Sequence, residues 1–344
     1  MKQLRIKNHY VPECYLKRWS DLDGKIYTYK IIVPHSNVPF WKKFYSASIA
    51  YQRYLYTTMI SGSMSDDLEV WLSVNFESPA NNSLERATSD QRLTRDDWHK
   101  LIKFLASQDV RTPARLSDYL KKSQEKVPQI LEEVLSGLPE KLENGLSIES
   151  EPIGIESALE AFPLKVTTRV KDGENMGYLE AKTYVGRSTW IYGIRHLLTK
   201  TSEHLHTHKW SILKPAKGYY WPTSDNPVVK VNYYSEGNYD LNGGWANKKG
   251  NIIFPIGPEH ALFVQIGDKP MPKGKRLSVS LTKKIIKLIC ENAHRKIFSI
   301  KCDDGILQYR SRAIDPAFLQ KEKYEIEKWN RENLEKELEY FQNN

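Results

Sequence analysis

The order of apolar and polar positions divides the chain into a helical first half and a strand-rich second half. Residues 24–29 alternate after an Asp23-Gly24 turn signal and predict an antiparallel strand, preceded by an extended segment around His9 to Pro12. Over 66–87, Leu68, Trp71, Leu72, Val74 and Phe76 predict a helix that Pro79 interrupts or restarts. Thr94 followed by Asp97 makes a capping-box-like start, after which Trp98, Leu101, Ile102 and Leu105 recur at helical spacing until Pro113 ends the run. Further helices are predicted over 116–135 and 181–198. Between them, 136–153 loses periodicity and reads as a loop or a connection between subdomains. Strands are predicted over 210–213, 219–223, 228–233, 252–255 and 261–265, then a helix over 281–291 and a strand over 296–300. Asp315-Pro316 opens a last helix that runs to about residue 341, with Leu334, Leu338 and Phe341 as its apolar stripe.

This pattern predicts an α+β fold in which an N-terminal extended segment and a helical layer pack on a C-terminal, mainly antiparallel sheet. Residues 1–310 form one domain in this reading, and 311–344 a C-terminal amphipathic helix. The 344 residues are 40% hydrophobic and 27% charged, enough apolar material for a globular core. No apolar run approaches the roughly 20 residues of a spanning helix, and the start MKQLRIKNHYVPE lacks an apolar segment before a cleavage site. A cytoplasmic protein without membrane contact is expected. Cys14, Cys290 and Cys302 are odd in number and never in a CxxC pair, so neither a disulfide framework nor a cysteine zinc site is expected. Lys and Arg outnumber Asp and Glu by 51 to 42, a net charge of +9 that favours anionic partners, nucleic acid among them. The excess is spread in short groups such as Lys42-Lys43 and Lys283-Lys284.

Several polar residues stand where chemistry could be built. His9 precedes an X-Pro step, an extended geometry able to hold an imidazole over a cleft. Gln108 lies on the apolar stripe of its helix with Arg111 three residues on, so Arg111 must meet a carboxylate of its own chain or face an anion. In Thr223-Ser224-Asp225-Asn226-Pro227 a cluster of polar residues sits between two β-rich runs. It reads either as an Asx-turn serving local backbone or as a carboxylate held out by a rigid sheet for general-base, metal or histidine-orienting work. His204, His206 and His208 would share one face of a strand, a weak metal pattern without an accompanying carboxylate cluster. Arg92 and His99 match a ribonuclease spacing that chance alone supplies in a chain of this composition. No phosphate-binding glycine loop, dinucleotide fingerprint, nucleophile elbow or HExxH motif is present.

Taken in order, His9-Tyr10-Val11-Pro12 with Tyr15, Leu16 and Trp19, then Phe76-Glu77-Ser78-Pro79-Ala80, Gln108, Arg111-Thr112-Pro113, Thr223 to Val228, Phe254-Pro255 with Pro258, and Asn292-Ala293 before Arg295 resemble the domain-of-unknown-function 4238 family. The resemblance spans most of the chain. It departs at Asn8, where family members commonly carry a first of two adjacent histidines. The resemblance implies a bacterial intracellular protein, in a defence or toxin setting, with His9, Glu77, Gln108, Arg111, Ser224, Asp225 and Asn226 assembled into one site. It implies no assigned activity.

Two function classes stay open. One is a hydrolase acting on nucleic acid or another phosphodiester. In it His9, Glu77 and Asp225 do the chemistry, Glu77 and Asp225 hold a divalent metal such as Mg²⁺ or Mn²⁺, and Gln108, Arg111, Ser224 and Asn226 bind substrate. The other is a non-catalytic module in which Arg111 pairs with Glu77 or Asp225 to fix the fold. There the basic surface and last helix recruit an anionic ligand, a protein partner or a second copy.

Overall fold

The computed structural model describes residues 4–60, 63–143, 164–170, 177–268, 271, 274 and 276–342. Helices and antiparallel sheets make it an α+β protein. Two sheets form the frame. The larger has five antiparallel strands in the order Ser211–Leu213, His260–Gln265, Gly250–Gly257, Val229–Ser235, Asn238–Asp240. The smaller has four in the order Thr223–Ser224, Lys296–Ser299, Lys25–Lys30, Trp41–Tyr45. The strand predicted over 24–29 therefore joins C-terminal strands in one sheet, while the extended segment around His9 pairs with Tyr51–Arg53.

Side-chain alternation explains how the layers separate. Along Gly250–Gly257, Ile252, Phe254 and Ile256 join the core beneath the helical layer, while Ile253 joins a second core under helix Val279–Asn292. In the smaller sheet Ile26 and Phe298 face the first core, and Tyr29 and Ile297 the second. The first core is pinned by aromatics that also carry a polar tip. Tyr15 stacks on Phe254 at 5.2 Å and its hydroxyl reaches Thr223 Oγ1 and the Pro255 carbonyl, both at 2.7 Å. Trp19 Nε1 donates to the Trp221 carbonyl at 2.8 Å. Each buried ring of this size contributes roughly 4–6 kcal/mol from area alone, and the hydrogen bonds fix which strand it meets.

Helix Arg95–Val110 begins as the sequence predicts. Thr94 Oγ1 accepts the Asp97 amide at 3.1 Å, and the Asp97 carboxylate accepts the Thr94 amide at 2.8 Å. Ahead of it, helix Asp67–Leu72 passes through a π-turn, Ser73–Glu77, into helix Ser78–Thr88. Pro79 supplies the reason: it has no N–H to give and crowds the carbonyl four residues back, so the helix widens before it.

Four expectations change. The helix from Arg95 stops at Val110, ahead of Pro113 as expected, but the next helix starts at Pro113 and not at 116, running Pro113–Glu143 with proline in its first turn. That helix covers 136–143 of the expected connection, and 144–153 lies outside the described residues. Of the helix predicted over 181–198, the first three residues belong to strand Gly177–Thr183, because Thr183 and its neighbours pair with Leu164–Val170; the helix is Arg187–His196. The strand over 219–223 contracts to Thr223–Ser224, since Trp221 gives its amide to Pro258 outside the ladder.

The last helix, Pro316–Gln342, docks on its own chain largely through polar groups. Glu337 accepts the Met59 amide and the Ser188 hydroxyl, Asn333 accepts the Arg187 amide, and Asn330 accepts an Arg187 guanidinium N–H. The side chain of Phe341 lies outside the described residues. Among the described residues no helix is long and apolar enough to cross a membrane.

Because its side chain closes the first turn of the central helix, Thr94→Ala is expected to lower the unfolding free energy by about 1 kcal/mol. Urea denaturation should show this as a lower midpoint at unchanged slope.

Candidate functional site

Arg111 follows the last turn of helix Arg95–Val110 and is fully buried. Its Nη1 donates to Glu77 Oε1 at 2.6 Å, its Nε to the Tyr10 carbonyl at 3.1 Å, and its own carbonyl accepts the Tyr56 hydroxyl at 2.5 Å. Glu77 is the last residue of the π-turn, so the widening caused by Pro79 places this carboxylate. Arg111 Nη2 is buried without a partner, as is Gln108 Oε1 three residues earlier.

Around this floor stand side chains that solvent reaches in part. His9 ends strand Lys7–His9, which pairs with Tyr51–Arg53. The pairing is held from behind by Ala50, in the left-handed region at φ 53°, whose carbonyl accepts the Tyr10 and Val11 amides. His9 Nε2 lies 3.3 Å from the Ala47 carbonyl. A carbonyl only accepts, so Nε2 carries the proton and Nδ1 keeps the lone pair. Burial lowers the pKa of this imidazole, against the opposing pull of the Ala47 carbonyl and Glu13.

Glu69, on helix Asp67–Leu72, was not singled out by the sequence. Its Oε1 accepts the His9 amide at 3.3 Å and its Oε2 is buried without a partner. Burial raises its pKa to about 7, with Glu77 adding to the rise and Arg111 and the His9 amide opposing it. Its position carried a signal, because Glu69 stands three residues before Leu72 and seven before Phe76, on the buried stripe. Cys14 also feels Glu77 and Arg111; burial first, then Glu77, pushes its thiol up to about 11, so it stays protonated at neutral pH.

Ser224, Asp225 and Asn226 do a different job. Asp225 Oδ1 accepts the His294 amide at 2.9 Å, and Oδ2 accepts those of Arg295 and Lys296 at 2.8 and 3.1 Å. Ser224 Oγ donates to the Asn226 carbonyl, and Asn226 Nδ2 to that of Asn292. Thr112 Oγ1 reaches Asn226 Oδ1 at 3.3 Å, which joins this clamp to the residue after Arg111. Glu77 and Asp225, the pair expected to hold a divalent ion, are engaged by Arg111 and by three amides respectively. Among the described residues no group of three or more His, Cys, Asp or Glu side chains is gathered as for a metal.

The structure thus brings His9, Glu77 and Arg111 together, adds Glu69 and Cys14, and gives the 224–226 segment a backbone role. Asn8, the position at which the sequence departs from the resemblance, is also structural: it is buried, and its Oδ1 accepts the Tyr56 amide at 3.0 Å. The alternating histidines do not share a strand face. His204 and His206 lie on a short helix, Glu203–His206, and His208 Nε2 sits 2.6 Å from the Trp245 carbonyl. His99 lies inside helix Arg95–Val110 and stacks on His206 with centroids 4.2 Å apart.

Fold and site together define an α+β protein with a buried guanidinium beneath a partly exposed ring of imidazole, carboxyl and thiol groups. A family model described as "Protein of unknown function (DUF4238)" matches residues 7–303, and the chain belongs to that family. The match ends before the last helix. No curated protein and no solved structure matches the chain.

Two measurements follow. Asp225→Asn places an amide donor against backbone donors and is expected to cost about 2 kcal/mol of stability, read as a lower urea midpoint. Glu69 holds a proton in the folded state that the unfolded chain releases near pH 4.5. Its contribution is full below that pH and is lost as pH rises through about 7. The stability of the native protein relative to Glu69→Gln should therefore fall by up to about 3 kcal/mol between pH 4 and pH 8.

Proposed function

We propose that the protein hydrolyses a phosphodiester bond in nucleic acid, with His9 and Glu69 as the acid–base pair. The observation that carries this is Glu69: a carboxyl near pKa 7 bonded to the His9 backbone, with one oxygen unpartnered, in the field of a buried arginine. His9 Nδ1 takes a proton from water as its oxygen attacks phosphorus. Glu69 gives its proton to the departing ester oxygen, so the bond to that oxygen breaks as the new P–O bond forms. Arg111, held by Glu77, supplies positive charge beside the developing phosphorane.

Nucleic acid is the substrate class favoured by the cations of the smaller sheet. Lys296 is directly opposite Lys30 across two strands, and Lys30 and Lys42 both stand over the Phe44 ring at 5.4 and 5.5 Å. Burial, and then the like charges of Lys296, Lys42 and Arg312, lower the Lys30 pKa. Like charges across a ladder are unfavourable, and a phosphate backbone laid over them relieves that repulsion. A non-catalytic binding module is the second reading, favoured by the complete enclosure of Arg111 in its pair with Glu77. The Ser224 to Asn226 clamp and the last helix then serve the fold and a partner.

The test is incubation with labelled RNA and DNA pools, with Mg²⁺, with Mn²⁺ and with chelator, beside His9→Ala and Glu69→Gln. Cleavage is expected to fall roughly 100-fold or more in both variants while each remains folded. Its pH profile should rise through a pKa below 6.5, as His9 loses its proton, and decline through about 7, as Glu69 does. Binding without cleavage, unchanged by either substitution, selects the module reading.

A further inference from the structure

A cavity of about 480 Å³ opens at Asp109 and Val110, and no residue of the His9 cluster lines it. Its floor is Asp109, whose side chain is only 2% exposed. Asp109 Oδ1 accepts Arg115 Nε at 3.0 Å and Nη2 at 2.8 Å; Oδ2 accepts Lys230 Nζ at 2.6 Å and Trp245 Nε1 at 2.7 Å. Burial opposes its ionisation, yet Arg115 and Lys230 hold its pKa at about 2, so the carboxylate is charged at any physiological pH. Its two oxygens are fully taken.

One carboxylate therefore faces two cations, and Lys230 gives Asp109 one of its three ammonium protons. Asp118 meets Arg115 at 3.4 Å, but it is half exposed and its charge is screened by water. Lys122 adds a further positive charge among the lining residues. A neutral occupant would leave the spare Lys230 protons without acceptors, and a cation would meet net repulsion. The walls add a second requirement. Trp190, Trp245 and Tyr119 line the space, and the Trp245 ring is locked by its bond to Asp109. Flat apolar faces fixed beside a cation are suited to a ring that carries an acid group.

We infer that this cavity is a binding site for a small aromatic anion, its ring against Trp190 and Trp245 and its acid group at Lys230 and Arg115. Binding here is independent of the proposed hydrolysis, since none of His9, Glu69 or Glu77 lines the cavity.

Fluorescence titration with 8-anilinonaphthalene-1-sulfonate tests it, with the uncharged N-phenyl-1-naphthylamine as the control probe. Saturable one-to-one binding of the sulfonate is expected, at least tenfold tighter than the neutral probe. Lys230→Met should weaken it tenfold or more and Lys122→Glu about fivefold, with the loss larger at low salt. Lys122 is exposed, so its variant decides the matter should Lys230→Met fail to fold. Equal binding of the two probes, or sulfonate binding that the folded Lys122→Glu variant leaves unchanged, overturns the proposal.

Discussion

The Arg111 guanidinium is the contact on which the arrangement of the helical layer depends. Removing water from a charged group costs several kcal/mol, so a fully enclosed arginine is stable only where its partners are fixed in advance. Here they come from three separate segments: Glu77 from the π-turn, Tyr10 from the N-terminal strand exit, and Tyr56 through the Arg111 carbonyl. The neighbours of Arg111 extend the same function in other directions. Asp109 reaches Lys230 in the larger sheet and Trp245 in the loop beyond it, and Thr112 reaches Asn226 beside the smaller sheet. Asp109, Arg111 and Thr112, at the junction of two helices, thus tie the helical layer to the N-terminal segment and to both sheets.

Regular periodicity made much of this fold legible. The Thr94 and Asp97 capping box, the strands around 229, 252 and 261, and the last helix from Pro316 all follow from local signals whose physics is complete within a few residues. What the sequence concealed depends on pairing at long range. Whether Pro113 stops one helix or starts the next turns on Arg111 and Thr112 being held by partners far away in the chain. Likewise 181–183 carries no signal for a strand apart from the hairpin partner it meets in Leu164–Val170.

The candidate site shows the same division. Arg111 was readable because a cation on an apolar stripe must have a partner, and one of the partners anticipated, Glu77, is the one it has. Asp225 was readable as a residue of consequence but not as to which consequence. An Asx-turn and a presented carboxylate share one sequence signature, and three amide contacts from 294–296 distinguish them. Glu69 escaped notice because a glutamate in a helix is ordinarily a solvated face residue. Its difference lies in burial, which only its place on the stripe of Leu72 and Phe76 announces.

Two carboxyls stand near Arg111, Asp109 enclosed and Glu69 partly exposed, and their proton affinities diverge by about 5 pH units, from about 2 to about 7. Desolvation alone would raise both. Asp109 escapes because two cations and an indole N–H converge on it, while Asp118 competes for Arg115 only from a half-exposed position. Glu69 does not, because the cation nearest to it, Arg111, is already bonded to Glu77, whose negative charge works against a second ionisation. The distribution of partners, more than depth of burial, therefore separates a permanently charged anchor from a group able to exchange a proton near neutrality. An anchor that never releases its charge can hold Lys230, Arg115 and Trp245 in fixed positions around a cavity. A carboxyl poised near 7 and bonded to the His9 backbone is suited to moving protons, and the two centres can lie so close because the neighbouring cations are unevenly assigned.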